Sequence, residues 1–301
     1  MNKETLKKNT SALSVGMFKY IFIIVVGFVF FYPFLYLVIT SVKSPEDLAS
    51  TTIQWIPKQI YLDNFRVAMA GVKYSSAIKN SIIVTVFCTI GHLLSCSLAG
   101  YAVSRYKNKF TSVLIVLIVL SIIVPVQVII MPQYLVFSKL KWINTFLPLI
   151  IPSFLGFGLR GGLFVFIFRQ FYTGIPKEIE EAASVDGCRA FKTFLKIIIP
   201  SSLAPMLVCG ILSMVWHWND SYLTSTFITN YDMSTLAERL PKLYEVLTAG
   251  TTSLENMHLK LIYNEAVIMA ATLLVILPIL IVFFFLQKRF MEGVERSGIV
   301  G

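Results

Sequence analysis

The sequence predicts an all-α membrane protein, a polytopic bundle of six transmembrane helices, and three observations predict it. The chain is 56% hydrophobic and only 14% charged, whereas soluble domains carry about 25% charged residues. Its mean hydropathy is +0.75. Several apolar runs also exceed the roughly 20 residues that a helix needs to cross a bilayer.

The first run, 17–41, follows a basic N-terminus, MNKETLKKNT. It is too long for a secretory h-region and has no A-x-A-like exit, so it reads as a retained helix. Further runs occupy 78–104, 110–131, 146–170, 197–218 and 263–287. Pro33, Pro125, Pro132, Pro148, Pro152 and Pro278 mark bends or ends, where neighbouring helices or cavity water must satisfy the freed carbonyls. Loops 42–77, 132–145 and 219–262 then share one side of the membrane, and the N-terminus, 105–109, 171–196 and 288–301 share the other. Lys and Arg are denser in the second set, where RYKNK carries no acid. The positive-inside rule therefore predicts a multi-pass plasma (cytoplasmic) membrane protein with both termini in the cytoplasm. Trp142, Trp216 and Trp218 fall at the outer boundary, as an interfacial aromatic belt would place them.

This organisation divides the chain into 1–77, the first helix and outer loop; 78–290, the membrane core; and 291–301, a cytoplasmic tail. The net charge of +10 follows from topology, because no basic block or aromatic–basic interleaving suggests nucleic acid. Cys88, Cys96, Cys188 and Cys209 match no C-x-x-C or zinc spacing and read as small packing residues. No G-x-x-x-x-G-K-[ST], H-E-x-x-H or G-x-S-x-G occurs, so the chain itself is expected neither to cradle ATP by that device nor to be an enzyme. No cofactor or metal is expected in it.

One polar stretch, EEAASVDGCRAFKTFLKIIIP at 180–200, interrupts the apolar runs on the cytoplasmic side. Pro176 suits the first position of a helix, with Glu178, Glu180 and Glu181 in the early turns, where the helix dipole favours acids. Ala182 and Ala183 permit close approach of another surface, and Gly187 is suited to positive φ at the helix end. Phe191, Phe194, Leu195 and Ile198 then fall at i, i+3, i+4 and i+7, one face of a second helix. The spacing predicts a helix–turn–helix over 176–196. From the residues alone it serves equally as an ordinary amphipathic connection or as a knob for a soluble partner.

E-A-A-S-V-D-G at 181–187, followed nine residues later by I-I-I-P at 197–200, resembles the EAA motif of the permeases of ATP-binding-cassette (ABC) importers. Ile199 departs from the family's usual Leu. Asp186, Phe191 and Phe194 resemble the carbohydrate subfamily. The segments 124–152 and 168–187, WNDSY at 218–222 and QKRFMEGVERSGIVG at 287–301 resemble the maltose-type second permease subunit. The resemblance covers about 78–301. It implies a type I ABC importer permease for a carbohydrate, an oligosaccharide, forming half of a translocation pathway. It also implies a second, non-identical permease, two ATPase subunits holding ATP and Mg, an extracellular substrate-binding protein contacting 219–262, and surrounding membrane lipid. Glu181 and Gly187 would carry force from the ATPase, with Ala182, Ala183 and Asp186 shaping the knob and Gly298 to Gly301 reaching the ATPase dimer. A non-sugar ABC permease and an ATP-independent secondary transporter are the alternatives.

Arg160, in GFGLRGGLF, falls near mid-membrane, where a charge costs at least about 2.5–3.5 kcal/mol and must face protein or water. It serves either the pathway or a structural partner such as a helix carbonyl. Trp216, Trp218, Asn219 and Asp220 combine aromatic faces with amide and carboxylate groups, as sugar binding or an interfacial belt would require. His217 reads as interfacial, and a pairing of Glu265 with Arg160 would need converging helices.

Overall fold

The computed structural model describes residues 3–50, 55–248 and 264–298. All regular elements among them are helical. Three helices are long and apolar enough to cross a bilayer: Gly16–Ser41, Tyr74–Arg105 and Glu265–Lys288. Two further pairs meet the same test only together, Lys109–Ile123 with Val126–Lys139 and Ala190–Ser201 with Leu203–Asn219, bent by 104° and 79°. The chain divides into two compact units, Met1–Gly71 with Leu243–Leu274 and Val72–Lys242 with Val275–Gly301.

In the first unit, α1 (Lys3–Ser41) passes through Pro33 without ending. Its apolar side chains from Phe18 to Phe31 are largely exposed, a surface suited to lipid or to another membrane chain. α2 (Pro45–Ala49) starts at Pro45 after Ser44, whose hydroxyl accepts from the Asp47 amide at 3.1 Å. α3 (Asp63–Gly71) contributes the buried Asn64, whose amide donates to the carbonyls of Ser41 and Lys43 at 3.0 and 2.8 Å. Asn64 thereby closes the end of α1, where helical carbonyls lack partners. Trp55 packs edge-on against Tyr32 at 5.4 Å. Tyr36 donates to Glu265 at 2.7 Å, so Glu265 has a partner other than the arginine the sequence offered it.

The second unit is arranged on α4 (Tyr74–Arg105), 32 residues and therefore about 48 Å long. α5 (Lys109–Ile123) begins in a reciprocal capping box between Asn108 and Thr111. It ends at Val124, held extended by the following Pro125, and α6 (Val126–Lys139) leaves in a new direction. The expected straight span 110–131 is therefore a bent pair. The expected span 146–170 is also broken. α7 (Leu147–Phe154) stops, residues 155–160 are unwound with Gly156 and Gly158 at φ 71° and 103°, and α8 (Gly161–Thr173) starts afresh.

α4 supplies what this broken run lacks. Cys88 Sγ donates to Leu149 O at 3.3 Å, Ser95 Oγ to Ser153 O at 2.7 Å, His92 Nε2 to Phe157 O at 3.2 Å and Cys96 Sγ to Gly161 O at 3.6 Å. These donors follow one side of α4, so Ser153 O and Phe157 O, the carbonyls at the break, meet protein hydrogens in an apolar medium. Close approach is possible because Gly91 and Gly100 lack side chains. A Cβ at Gly91 would sit 2.8 Å from Phe154 and one at Gly100 2.7 Å from Phe168.

The remaining helices of this unit are α9 (Glu178–Val185), α10 (Ala190–Thr193), α11 (Ile199–Ser201), α12 (Leu203–Asn219) and α13 (Tyr222–Phe227). α14 (Leu236–Thr248) realises the helical spacing of TLAERLPKLYEVL, and α15 (Glu265–Gly298) runs through Pro278. The start of α4 is tied to residues 231–239. Arg239, 1% exposed, donates to Ser234 Oγ, Val72 O, Lys73 O, Ser76 Oγ and Tyr231 O at 2.7–3.1 Å and lies over the Tyr231 ring at 4.5 Å. Asn80 donates to the carbonyls of Asp232 and Ser234, and Ser81 accepts from the Leu236 amide. The Lys73 ammonium, 2.9 Å away, holds the Asp232 carboxyl below its ordinary pKa.

Arg239→Met should leave several buried carbonyls unpaired and cost roughly 3 kcal/mol or more. Thermal unfolding of the detergent-solubilised protein should show a lowered midpoint, whereas substitution of the exposed Glu245 by Gln should not.

Candidate functional site

The polar stretch at 176–200 forms the helix–turn–helix that its spacing predicts, with changes at both ends. α9 starts at Glu178 rather than at Pro176, with Lys177 as its flanking residue. Gly187 adopts φ 76°, and a Cβ built there meets nothing within 4 Å. The glycine is therefore required by backbone conformation and not by packing. Glu181, Ala182 and Asp186 are exposed, while Ala183 is buried. Val185 at 88% and Phe191 at 62% exposed leave an apolar surface beside the acids.

The second arm corrects the expected single apolar face. Phe194 and Ile198 are buried with Tyr101, Phe164, Phe168 and Tyr172, whereas Phe191 and Leu195 are exposed. Residues Phe194–Ile198 form a π-helical turn in which the Ile199 amide bonds to Phe194 O, five residues back. Pro200 has no N–H to continue an α-helical ladder, and the wider turn absorbs the mismatch. The chain bends again at Ser202, so the expected span 197–218 starts in earnest only at Leu203.

Sequence reasoning missed the clamp that holds this knob. Glu180, set beside the motif's Glu181, binds Arg105 Nε at 2.5 Å and accepts from Tyr101 Oη at 2.8 Å. Arg105 also donates to Ile175 O at 3.1 Å. The side chains of Arg105 and Glu180 are 10% and 19% exposed, so the pair is well shielded. The signal was present as one arginine closing a long apolar run and one acid facing away from its neighbours on α9. Which acid would pair with it could not be read without the fold.

Midway along the same unit, a cavity of about 490 Å³ opens against the unwound segment, lined by Arg160, His217, Asp220, Gln127, Gln133 and apolar side chains including Pro125. Arg160 has φ 63°, precedes α8 and is exposed. Its guanidinium lies 5.0 Å from the centroid of Trp216, a cation–π distance. Contacts from His92 and Cys96 to residues 157 and 161 put the segment opposite the middle of α4, as a mid-membrane Arg160 requires. Asp220 accepts from the amides of Leu223 and Thr224 at 3.3 Å and caps α13 while lining the cavity.

Three aromatic and polar expectations change. Trp218 is 5% exposed and donates to Val275 O at 2.9 Å, which removes it from both the belt and the cavity wall. Asn219 is exposed and turns its amide back to Val215 O. His217 is buried rather than interfacial. Gly298 ends the last described helix, and Gly301 lies outside the described residues.

The profile of the family described as "Binding-protein-dependent transport system inner membrane component" matches residues 91–296. The chain belongs to this family. Members are membrane permease components, so the chain is a multi-pass inner-membrane permease of a system that works with a binding protein. Among similar proteins is the probable starch degradation products transport system permease protein AmyC of Thermoanaerobacterium thermosulfurigenes, 27% identical over 92% of this chain and 94% of that one. The arabinooligosaccharides transport system permease protein AraQ of Halalkalibacterium halodurans is 28% identical over 92% and 93%. The melibiose/raffinose/stachyose import permease protein MelC of Bacillus subtilis is 28% identical over 90% and 92%. A chain in the crystal structure of a bacterial ABC transporter involved in the import of the acidic polysaccharide alginate superposes with a TM-score of 0.77. It is 19% identical over 93% of this chain and 98% of that one, and the likeness shows the permease fold.

Removing the clamp's charge in Glu180→Gln should loosen the knob by roughly 2–4 kcal/mol. Limited trypsin digestion should then cut faster at the exposed Lys177, Arg189 and Lys192, with no change in cutting at Lys58.

Proposed function

We propose that this permease forms half of the pathway of an ATP-driven importer of oligosaccharides and is driven through the 176–196 knob. The observation that carries the coupling half of this reading is the pairing of exposure with anchorage. Glu181, Val185, Asp186 and Phe191 present acid and apolar surface to a soluble partner, while Glu180 fixes the same helix to the end of α4. A knob free on one face and gripped on the other can pass a push into the membrane unit. The sugar half is supported by relatives whose names specify starch products, arabinooligosaccharides and the melibiose–raffinose–stachyose series.

In this reading, two ATPase subunits carry the ATP and Mg that the chain has no motif to hold. A second, non-identical permease completes the pathway, and both termini of this chain lie in the cytoplasm. Glu181 and Gly187 receive the ATPase movement, with Ala182, Ala183 and Asp186 shaping the contact. Gly298 and Gly301 belong to a tail that reaches the same partner. Arg160, Trp216 and Asp220 serve the pathway, directly or through one another, and Asn219 stands at its edge. The hub formed by Arg239, Asn80 and Ser81 holds the 231–239 segment at the other end of α4, the side proposed to meet the binding protein.

Purification from the native membrane in mild detergent should recover an ATPase with the wild-type chain and lose it with Glu181→Lys combined with Gly187→Val. Recovery of a lone homo-oligomer from the wild type would contradict the proposal. Gly187 offers a finer test. Since it is needed for positive φ in open space, Gly187→Asn should retain most coupled uptake. The β-branched Gly187→Val should lose it, at a backbone cost of about 1–2 kcal/mol.

A further inference from the structure

We infer that His217 is a specificity-determining residue of the membrane cavity, where its Nε2 accepts a hydrogen bond from a hydroxyl of a neutral sugar ring. This rests on the oligosaccharide reading above and adds a residue and an atom to it.

The protonation state of the ring follows from its partners. His217 Nδ1 lies 2.8 Å from the Ser213 carbonyl, a group that only accepts, so Nδ1 carries the proton. The neighbouring His92 reads the other way. Its Nε2 faces the Phe157 carbonyl at 3.2 Å and must donate, which leaves His92 Nδ1 to accept from Ser213 Oγ at 3.1 Å. Ser213 thus spends its hydroxyl on His92 and its carbonyl on His217. The His92 and His217 rings lie 5.1 Å apart. One ring holds the unwound segment, and the other is held by α12.

His217 is left with a lone pair on Nε2 that no hydrogen bond uses among the described residues, although the residue is 6% exposed. Unlike the sealed and unpartnered hydroxyls of Thr85 and Thr89, Nε2 keeps some open surface, so a molecule in the cavity can reach it. His217 lines the cavity of about 490 Å³, within the size range of small-molecule sites, so the missing hydrogen can come from a bound molecule. The rest of the wall suits a polyol. Arg160 is a donor with no ion pair among the described residues, Asp220 is an acceptor, and Gln127 and Gln133 are both. Apolar side chains such as Pro125 and Leu159 offer surface to ring C–H groups. The opposite charges of Arg160 and Asp220 favour a neutral molecule over an anion.

Two near-isosteric substitutions separate binding from scaffolding. His217→Asn keeps an amide donor where Nδ1 reaches Ser213 O but removes the acceptor at the Nε2 position. His217→Gln restores an amide at the Nε2 position and gives up the Nδ1 anchor. The complete complex, with its binding protein and ATPase, would be reconstituted in vesicles and its ATP-dependent uptake measured with raffinose, maltotriose and arabinotriose as probes. For whichever probe the wild type imports, the apparent KM should rise about five- to tenfold in His217→Asn and return towards wild type in His217→Gln. Full function in His217→Asn, or loss in His217→Gln alone, would overturn the inference and assign His217 to anchorage. Failure of the wild type to import any of the three would overturn the sugar reading itself and this inference with it.

Discussion

A bilayer interior offers no hydrogen bonds, and the second unit is organised by that constraint. Any backbone group released where a helix breaks must find a partner within the protein. The break at 155–160 releases several, and α4 answers from one side: Ser95 and His92 donate to Ser153 O and Phe157 O at the break, and Cys88 and Cys96 add contacts to Leu149 O and Gly161 O in the flanking helices. The cysteines that sequence spacing assigned to packing therefore also act as weak donors. Gly91 and Gly100 bring the backbones close enough for those bonds to form. With the carbonyls satisfied, the unwound segment can hold Arg160 at a left-handed φ beside a cavity without unravelling α7 or α8.

α4 also joins the two regions where partners are proposed to act. Its first turns are bound to the 231–239 segment through Arg239, Asn80 and Ser81, and its last residue is bound to the 176–196 knob through Glu180. A continuous helix of about 48 Å between the two is stiff along its axis. Displacement at either end is thereby felt next to the cavity, where His92 and Cys96 touch the broken run. The proposed division of labour, with ATP hydrolysis on one polypeptide and the pathway on another, needs such a mechanical link.

Much of this was legible in the sequence because the relevant signals are local. Apolar run length marked where the membrane segments lie but not that three of the six runs are broken, and Gly187 located the turn, with α9 starting at Glu178 and not at Pro176. The position of Arg160 within its apolar run pointed to mid-membrane. What was illegible depended on partners distant in sequence. Trp218 reads as an interfacial aromatic until Val275 O is found 2.9 Å from its indole nitrogen. His217 reads as interfacial until Ser213 and His92 are seen around it. The heptad-like face at Phe191–Ile198 fails because Pro200 forces a π-helical turn, which moves Phe191 and Leu195 outward. The bend at Pro125 was marked by proline and the one at Ser202 was not, and no propensity rule gives the size of either.

The most direct test of the account is transport by the purified complex in sealed vesicles loaded with ATP on the knob-facing side. A chain with no phosphate-cradling motif, gripped through Glu180 and pushed through Glu181, should support accumulation of a labelled oligosaccharide only while ATP is hydrolysed. A non-hydrolysable analogue should abolish accumulation. Uptake at an undiminished rate without ATP would contradict the account, because the knob would then have nothing to transmit.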